Sequence, residues 1–185
     1  VCSGGAIETM LGNLRHVCFV ESDGPELWDD AAALTLLAKD AASLTRCEIE
    51  DKTGSPNIGT WWQNGVARWK LNIREGGTYA VSCLYAGDVD MDGNQVVFNV
   101  FGRDTAHAAG TVATKVLATG GWGKYREHAS GTIVIPQGEA TLEVTTGAPF
   151  SRVLWNLKRI TLTRMIPLGS KLSASPSMRP TRVGQ

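Results

Sequence analysis

At 185 residues, with 18 basic and 18 acidic side chains in balance, the chain carries no global field to draw it to nucleic acid or to an acidic membrane. It has no apolar run long enough to span a bilayer and no signal-peptide pattern. The length holds one sizeable core, and a single β-sandwich commonly fills it as one domain.

Charge is unevenly placed. No acidic residue follows Glu143, whereas Arg152, Lys158, Arg159, Arg164, Lys171, Arg179 and Arg182 do. Because no aromatic residue is interleaved after Trp155, this basic end reads as solvated charge before it reads as a phosphate-binding surface. The start at Val1 in place of Met suits a processed product. A secreted or extracellular location is expected ahead of a cytosolic one, with an organelle or periplasmic assembly as the other setting. Cys2, Cys18, Cys47 and Cys83 allow two disulfides in any of three pairings, and no CxxC spacing argues for zinc. Cys83 is equally explained as a small buried residue.

In residues 1–33, Ile7, Met10, Leu11, Leu14 and Val17 recur at helical intervals. A second helical turn fits Glu26 to Ala33, with Pro25 at its start. Leu34 to Leu37 and Leu44 to Glu50 then read as strands.

Strict alternation follows. Ala67, Trp69, Leu71 and Ile73 share one face of a strand, and Tyr79, Val81, Cys83 and Tyr85 share one face of the next. Glu75-Gly76-Gly77-Thr78 between them suits a tight hairpin. Further strands are expected over Gln95 to Phe101, Thr111 to Ala118, Ala129 to Ile135, Ala140 to Thr145 and Val153 to Thr163. About nine short strands without βαβ alternation predict an all-β fold, an antiparallel two-sheet β-sandwich of jelly-roll type, with Trp69 and Tyr79 between the layers. A partly helical N-terminal extension and an irregular C-terminal tail flank it.

Between two of these strands, Asp88-Val89-Asp90-Met91-Asp92-Gly93 has the alternating-carboxylate spacing of a calcium loop. The twelfth position from Asp88 is Asn99, inside an expected strand, where such a loop needs a bidentate glutamate. Asp88, Asp90 and Asp92 therefore form either a calcium site or a polar turn, and calcium is the one cofactor in prospect. Nothing points to catalysis. His16, His107 and His128 lie in unrelated segments, and neither a P-loop, a dinucleotide fingerprint nor a nucleophile elbow is present.

The stretches Asn57-Ile58-Gly59-Thr60-Trp61, Val66-Ala67-Arg68-Trp69, Gly77-Thr78-Tyr79-Ala80-Val81 with Tyr85-Ala86, Thr119-Gly120-Gly121-Trp122, Ile135-Pro136-Gln137-Gly138 and Trp155 to Leu162 together resemble a carbohydrate-binding module related to families 6 and 35. The likeness is to the module appended to bacterial α-L-fucosidases and sulfatases, and it covers roughly Leu34 to Arg164, leaving 1–33 and 165–185 as extensions. It implies a non-catalytic domain that binds a glycan or polysaccharide at loops on one end of the sandwich. A sugar offers an apolar C–H face and a rim of hydroxyls, so a flat ring beside an amide is its complement. Trp122 and Asn156 match those two roles. Trp122 is alternatively a hydrophobic plug, and Asn156 a partner for a buried backbone group. Trp61 or Trp62 would add a second platform, although adjacent residues of an extended strand point one in and one out.

The resemblance also implies a structural calcium held by acidic residues near the first strand, where Glu48 and Glu50 fit, and by an aspartate after the final-strand asparagine. Lys158 stands at that last position, and an ammonium there repels the ion. Finally, residues 165–185 are Ser, Pro and Arg with little apolar periodicity. Segments of that kind order only against something that holds them. The competing expectation is thus an accessory subunit of a larger assembly that reuses the sandwich as a scaffold and docks other protein chains through 1–33 and 165–185.

Overall fold

The computed structural model describes residues 27–28, 33–52, 54–103 and 107–165. The helical expectation around Ile7 to Val17 and the tail beyond Met165 lie outside them, as do Cys2, Cys18 and His16. Twelve strands follow in order: β1 Leu27–Trp28, β2 Ala33–Leu37, β3 Ser43–Thr45, β4 Glu48–Glu50, β5 Asn57–Gly59, β6 Val66–Ile73, β7 Gly77–Gly87, β8 Gln95–Phe101, β9 Gly110–Lys115, β10 Gly121–Ile135, β11 Gly138–Thr146 and β12 Asn156–Arg164. Leu27–Trp28 is a strand where a helical turn is expected, because it ladders onto Leu71 and Asn72.

Two six-stranded sheets face each other. The first runs β1-β6-β11-β8-β9, with β3 also on β6; the second runs β10-β7-β12-β5-β4, with β2 also on β12. All ladders are antiparallel except the two-residue β1–β6 pair. The expected all-β sandwich is what the chain forms.

Alternation explains the layering. β6 buries Ala67, Trp69, Leu71 and Ile73, and β7 buries Tyr79, Val81, Cys83 and Tyr85, all against the opposite sheet. Val96, Phe98 and Val100 of β8 and Leu142 and Val144 of β11 complete one wall, and Leu157, Ile160 and Leu162 of β12 the other. Trp69 and Tyr79 are fully buried between the layers, and the Trp69 indole N–H donates to the Leu37 carbonyl at 2.9 Å.

Two expectations about connectivity are corrected. β6 and β7 are not a hairpin, because β6 pairs with β11 while β7 pairs with β10 and β12. The glycine stretch between them carries the chain across from one sheet to the other. A Cβ on Gly76 would sit 2.8 Å from the backbone nitrogen of Gln137, so this corner needs glycine for close approach to the neighbouring crossing from β10 to β11. The strand expected over Leu44 to Glu50 is likewise two, β3 in the first sheet and β4 in the second. Between them Arg46 takes φ 53°, and its carbonyl accepts from the Trp62 N–H at 3.0 Å.

Candidate ligand-binding site

The site grows from the start of β10. Thr119 is buried and grips the end of β7: its hydroxyl accepts from the Gly87 N–H at 2.9 Å and donates to the Gly87 carbonyl at 3.0 Å. Gly120 at φ 91° and Gly121 at φ 141° then turn the chain through backbone space that side chains disfavour. Gly121 pairs with Gly87, but the next paired residue is Arg126 with Tyr85, so residues 122–125 form a bulge. The bulge brings Trp122 to the surface, 37% exposed.

Asn156 opens β12 beside it. Its amide nitrogen donates to the Trp122 carbonyl at 3.2 Å, fixing the backbone that carries the ring. The amide oxygen has no protein partner among the described residues. The structure therefore brings Trp122 and Asn156 together, with the ring solvent-accessible.

Tyr125, which the sequence reading does not single out, leaves the same bulge and crosses the outer face of the second sheet. Its hydroxyl donates to Asn57 Oδ1 at 3.2 Å, and the Lys158 ammonium sits 4.0 Å from its ring centroid. Burial raises the Tyr125 pKa, and the Glu50 carboxylate adds to the rise, so the hydroxyl remains a donor. Glu50 is itself committed: it accepts from Thr60 Oγ1 at 2.9 Å and pairs with Lys52 at 3.8 Å. Thr60, β-branched yet at φ 48°, is held in that conformation by this bond. Gly59 leaves the room required, since a Cβ there would lie 2.5 Å from the Glu50 carboxyl carbon.

The two tryptophans that follow Thr60 have opposite environments. Trp61 is fully buried, edge-on to Trp155 at 6.1 Å between ring centroids, and lies against Gly65, where a Cβ would be 2.4 Å from its ring. As a ligand platform Trp61 is excluded, because its ring is part of the core. Trp62 is 49% exposed and sits at the same end of the sandwich, the Trp61 carbonyl accepting from the N–H of Leu154, two residues before Asn156.

The acidic loop does not gather its carboxylates. Asp88 Oδ1 accepts from the Val89 N–H at 2.8 Å, Asp92 Oδ1 accepts from the Ala118 N–H at 2.8 Å, and Asp90 pairs with Arg152. Met91, fully buried against Gly87, pins the 3₁₀ turn Val89–Met91. Asn94 then ties the loop to the approach of β12, its amide donating to the carbonyls of Ser151 and Val153 at 2.9 Å each. As a metal site Asp88, Asp90 and Asp92 are corrected to a turn whose three carboxylates serve three different partners. Among the described residues no cluster of three His, Cys, Asp or Glu side chains is placed to hold a metal. The calcium implied at Glu48 and Glu50 does not fit either: Glu48 is exposed, Glu50 is engaged as above, and Lys158 brings positive charge.

Cys47 and Cys83 carry free thiols. Burial pushes the Cys47 thiol up to about 11 and that of Cys83 to about 12, so neither is a thiolate at neutral pH. His128 stacks on Tyr85 at 4.8 Å. No helix of the described residues is long and apolar enough to cross a membrane.

No protein-family model matches the chain, and no curated protein does. Solved structures do. The C-terminal family 6 carbohydrate-binding module of a marine laminarinase from Zobellia galactanivorans superposes with a TM-score of 0.58 at 17% identity, over 71% of this chain and 99% of that one. A family 35 module from Clostridium thermocellum gives 0.58 at 19% identity, over 73% and 100%. A family 6 module of Cellvibrio mixtus lichenase 5A, solved with cellotriose, gives 0.56 at 21% identity, over 71% and 97%. The fold is that of carbohydrate-binding modules of families 6 and 35.

Proposed function

We propose that this chain is a non-catalytic module that recognises a glycan through Trp122 and Asn156, with Trp62 as a second platform. The observation that carries the reading is the hydrogen bond from Asn156 to the Trp122 carbonyl. It sets a partly exposed tryptophan and an unpartnered amide oxygen side by side, the residue types that complement a sugar's apolar face and hydroxyl rim. The fold shared with solved modules, one of them holding cellotriose, supports it. Trp122 stands in the bulge near the start of β10 and Asn156 opens β12, a position at the strand ends that suits recognition of a chain in passing better than enclosure of a reacting group. A secreted or extracellular setting, where polymeric glycans are met, belongs to the same reading. Docking of other protein chains through 1–33 and 165–185 falls almost wholly on residues outside those described.

The test is an array of neutral β-linked glucan, xylan and mannan oligosaccharides probed with the folded protein. Saturable binding that Trp122→Ala abolishes is expected. No saturable binding to any of them, with the fold verified by circular dichroism, overturns the reading.

A further inference from the structure

Beside Tyr125, the outer face of the second sheet holds an open groove of ≈ 340 Å³ between the end of β2 and the middle of β12. Leu37 and Leu84 supply apolar wall, Ser55 a hydroxyl, and Lys39, Lys158 and Arg159 three positive charges. Neighbouring residues of a regular strand point to opposite faces, so Lys158 and Arg159 would not ordinarily share one. Here they do because β12 bulges. Leu157 pairs with Tyr85 and Arg159 with Leu84, which leaves Lys158 as the extra residue.

The charge in this groove is only partly balanced. Arg159 Nη2 lies 2.9 Å from Glu127 Oε2, and the other oxygen of that carboxylate accepts from Ser82 at 2.8 Å. Lys158 rests on the Tyr125 ring, a contact that leaves its charge intact. Lys39 has no carboxylate partner among the described residues. Glu50, the nearby acid on β4, is taken up by Thr60, Asn57 and Lys52. Three cations around a concavity, two from β12 and one from the 3₁₀ turn Ala38–Asp40 that follows β2, suit a group that offers oxygens in several directions, whereas a planar carboxylate is met by one guanidinium fork.

We infer that this groove receives a tetrahedral oxyanion, a sulfate ester, carried on the glycan that Trp122 and Asn156 hold. The inference rests on the proposed glycan reading for the source of the oxyanion. Lys158 follows Asn156 by two residues on β12, about 7 Å along a strand, so a substituent on the same or the next sugar reaches the groove. The chain would thereby select a sulfated polysaccharide over its neutral counterpart.

The experiment compares laminarihexaose, chemically sulfated laminarihexaose and inorganic sulfate by isothermal titration at low and high salt, on the wild type, Lys39→Gln, Lys39→Gln/Lys158→Gln and Trp122→Ala. The sulfated sugar is expected to bind at least about tenfold tighter than the neutral one at low salt, with the margin shrinking as salt rises. The margin falls in Lys39→Gln and vanishes in the double variant, and Trp122→Ala weakens both sugars. Equal affinities for the two sugars, or a margin that survives the double variant, overturn the groove as an oxyanion site. If inorganic sulfate alone binds, sensitive to Lys39→Gln, while Trp122→Ala changes neither sugar, the groove takes a free oxyanion and the glycan reading is the part that falls. Lys39 is exposed in the 3₁₀ turn that follows β2, so its substitution tests the groove even if losing Lys158 disturbs Tyr125.

Discussion

The side-chain amide of Asn156 donates to the backbone carbonyl of Trp122 at 3.2 Å, so the two residues proposed to meet a glycan are tied to each other. Asn156→Asp places a carboxylate oxygen against that carbonyl and removes the donor. Asn156→Ala loses that bond, an effect of about 1 kcal/mol, together with the amide oxygen proposed to accept from a sugar hydroxyl. Glycan affinity is expected to fall roughly fivefold or more in Asn156→Ala and further in Asn156→Asp. Thermal unfolding should move little in Asn156→Ala, because the bond lies at the surface. Calorimetry of binding and of unfolding on the same variants separates the two effects.

The two adjacent tryptophans differ in what they hold. Trp61→Ala empties a fully buried site against Trp155 and is expected to cost about 3–5 kcal/mol of stability, whereas Trp62→Ala should stay within about 0.5 kcal/mol. Urea unfolding of both variants reads the contrast. Gly65→Ala, which drives a methyl into the Trp61 ring, should destabilise in the same direction as Trp61→Ala.

Alkaline stability follows from Cys83. Its folded pKa is raised to about 12 from an ordinary value of 9.0, because burial penalises the thiolate. A raised folded pKa means that the stabilisation is complete below pH 9 and is lost as pH climbs toward 12. In that window this one group contributes a slope of about 1.4 kcal/mol per pH unit. Unfolding free energy measured from pH 8 to 11 should be flat at first and then decline, and Cys83→Ala should decline less steeply from a lower starting stability.

Calcium removal is expected to change nothing in the loop at Asp88. Asp88, Asp90 and Asp92 are each spent on a different partner, so the melting temperature should be the same in EDTA and in millimolar calcium. Asp92→Ala, by contrast, frees the Ala118 N–H and should lower it whether or not calcium is present. A calcium-dependent rise in melting temperature that Asp90→Asn removes would contradict this account of the loop.

Much of the sandwich is legible in the chain itself, since a strand with one buried face must alternate. Trp69 and Tyr79 can be placed between the layers on that ground alone. Period-two patterning tells which face is buried but not which strand lies alongside, and so the glycines at 76 and 77 read as a hairpin although they carry the chain between sheets. Arg46 carries no local signal of its φ of 53°, and one expected strand becomes two. Trp122 and Asn156 are singled out only through the family resemblance, and the hydrogen bond between them is what places the two side by side. Tyr125 and Lys39 are not singled out, and Lys158 and Arg159 read only as charge, because Tyr125, Lys158 and Arg159 converge through bulges in β10 and β12, and a bulge is a property of pairing between strands far apart in sequence.

Six tryptophans give six indole N–H probes, and nitrogen–proton correlation spectra during titration with a bound oligosaccharide read them one by one. The Trp122 indole is expected to shift most, with Trp62 following, while the core indoles of Trp61, Trp69 and Trp155 hold still. A saturating ligand that leaves Trp122 unmoved, or that shifts only resonances remote from it, would contradict the recognition surface proposed for this chain.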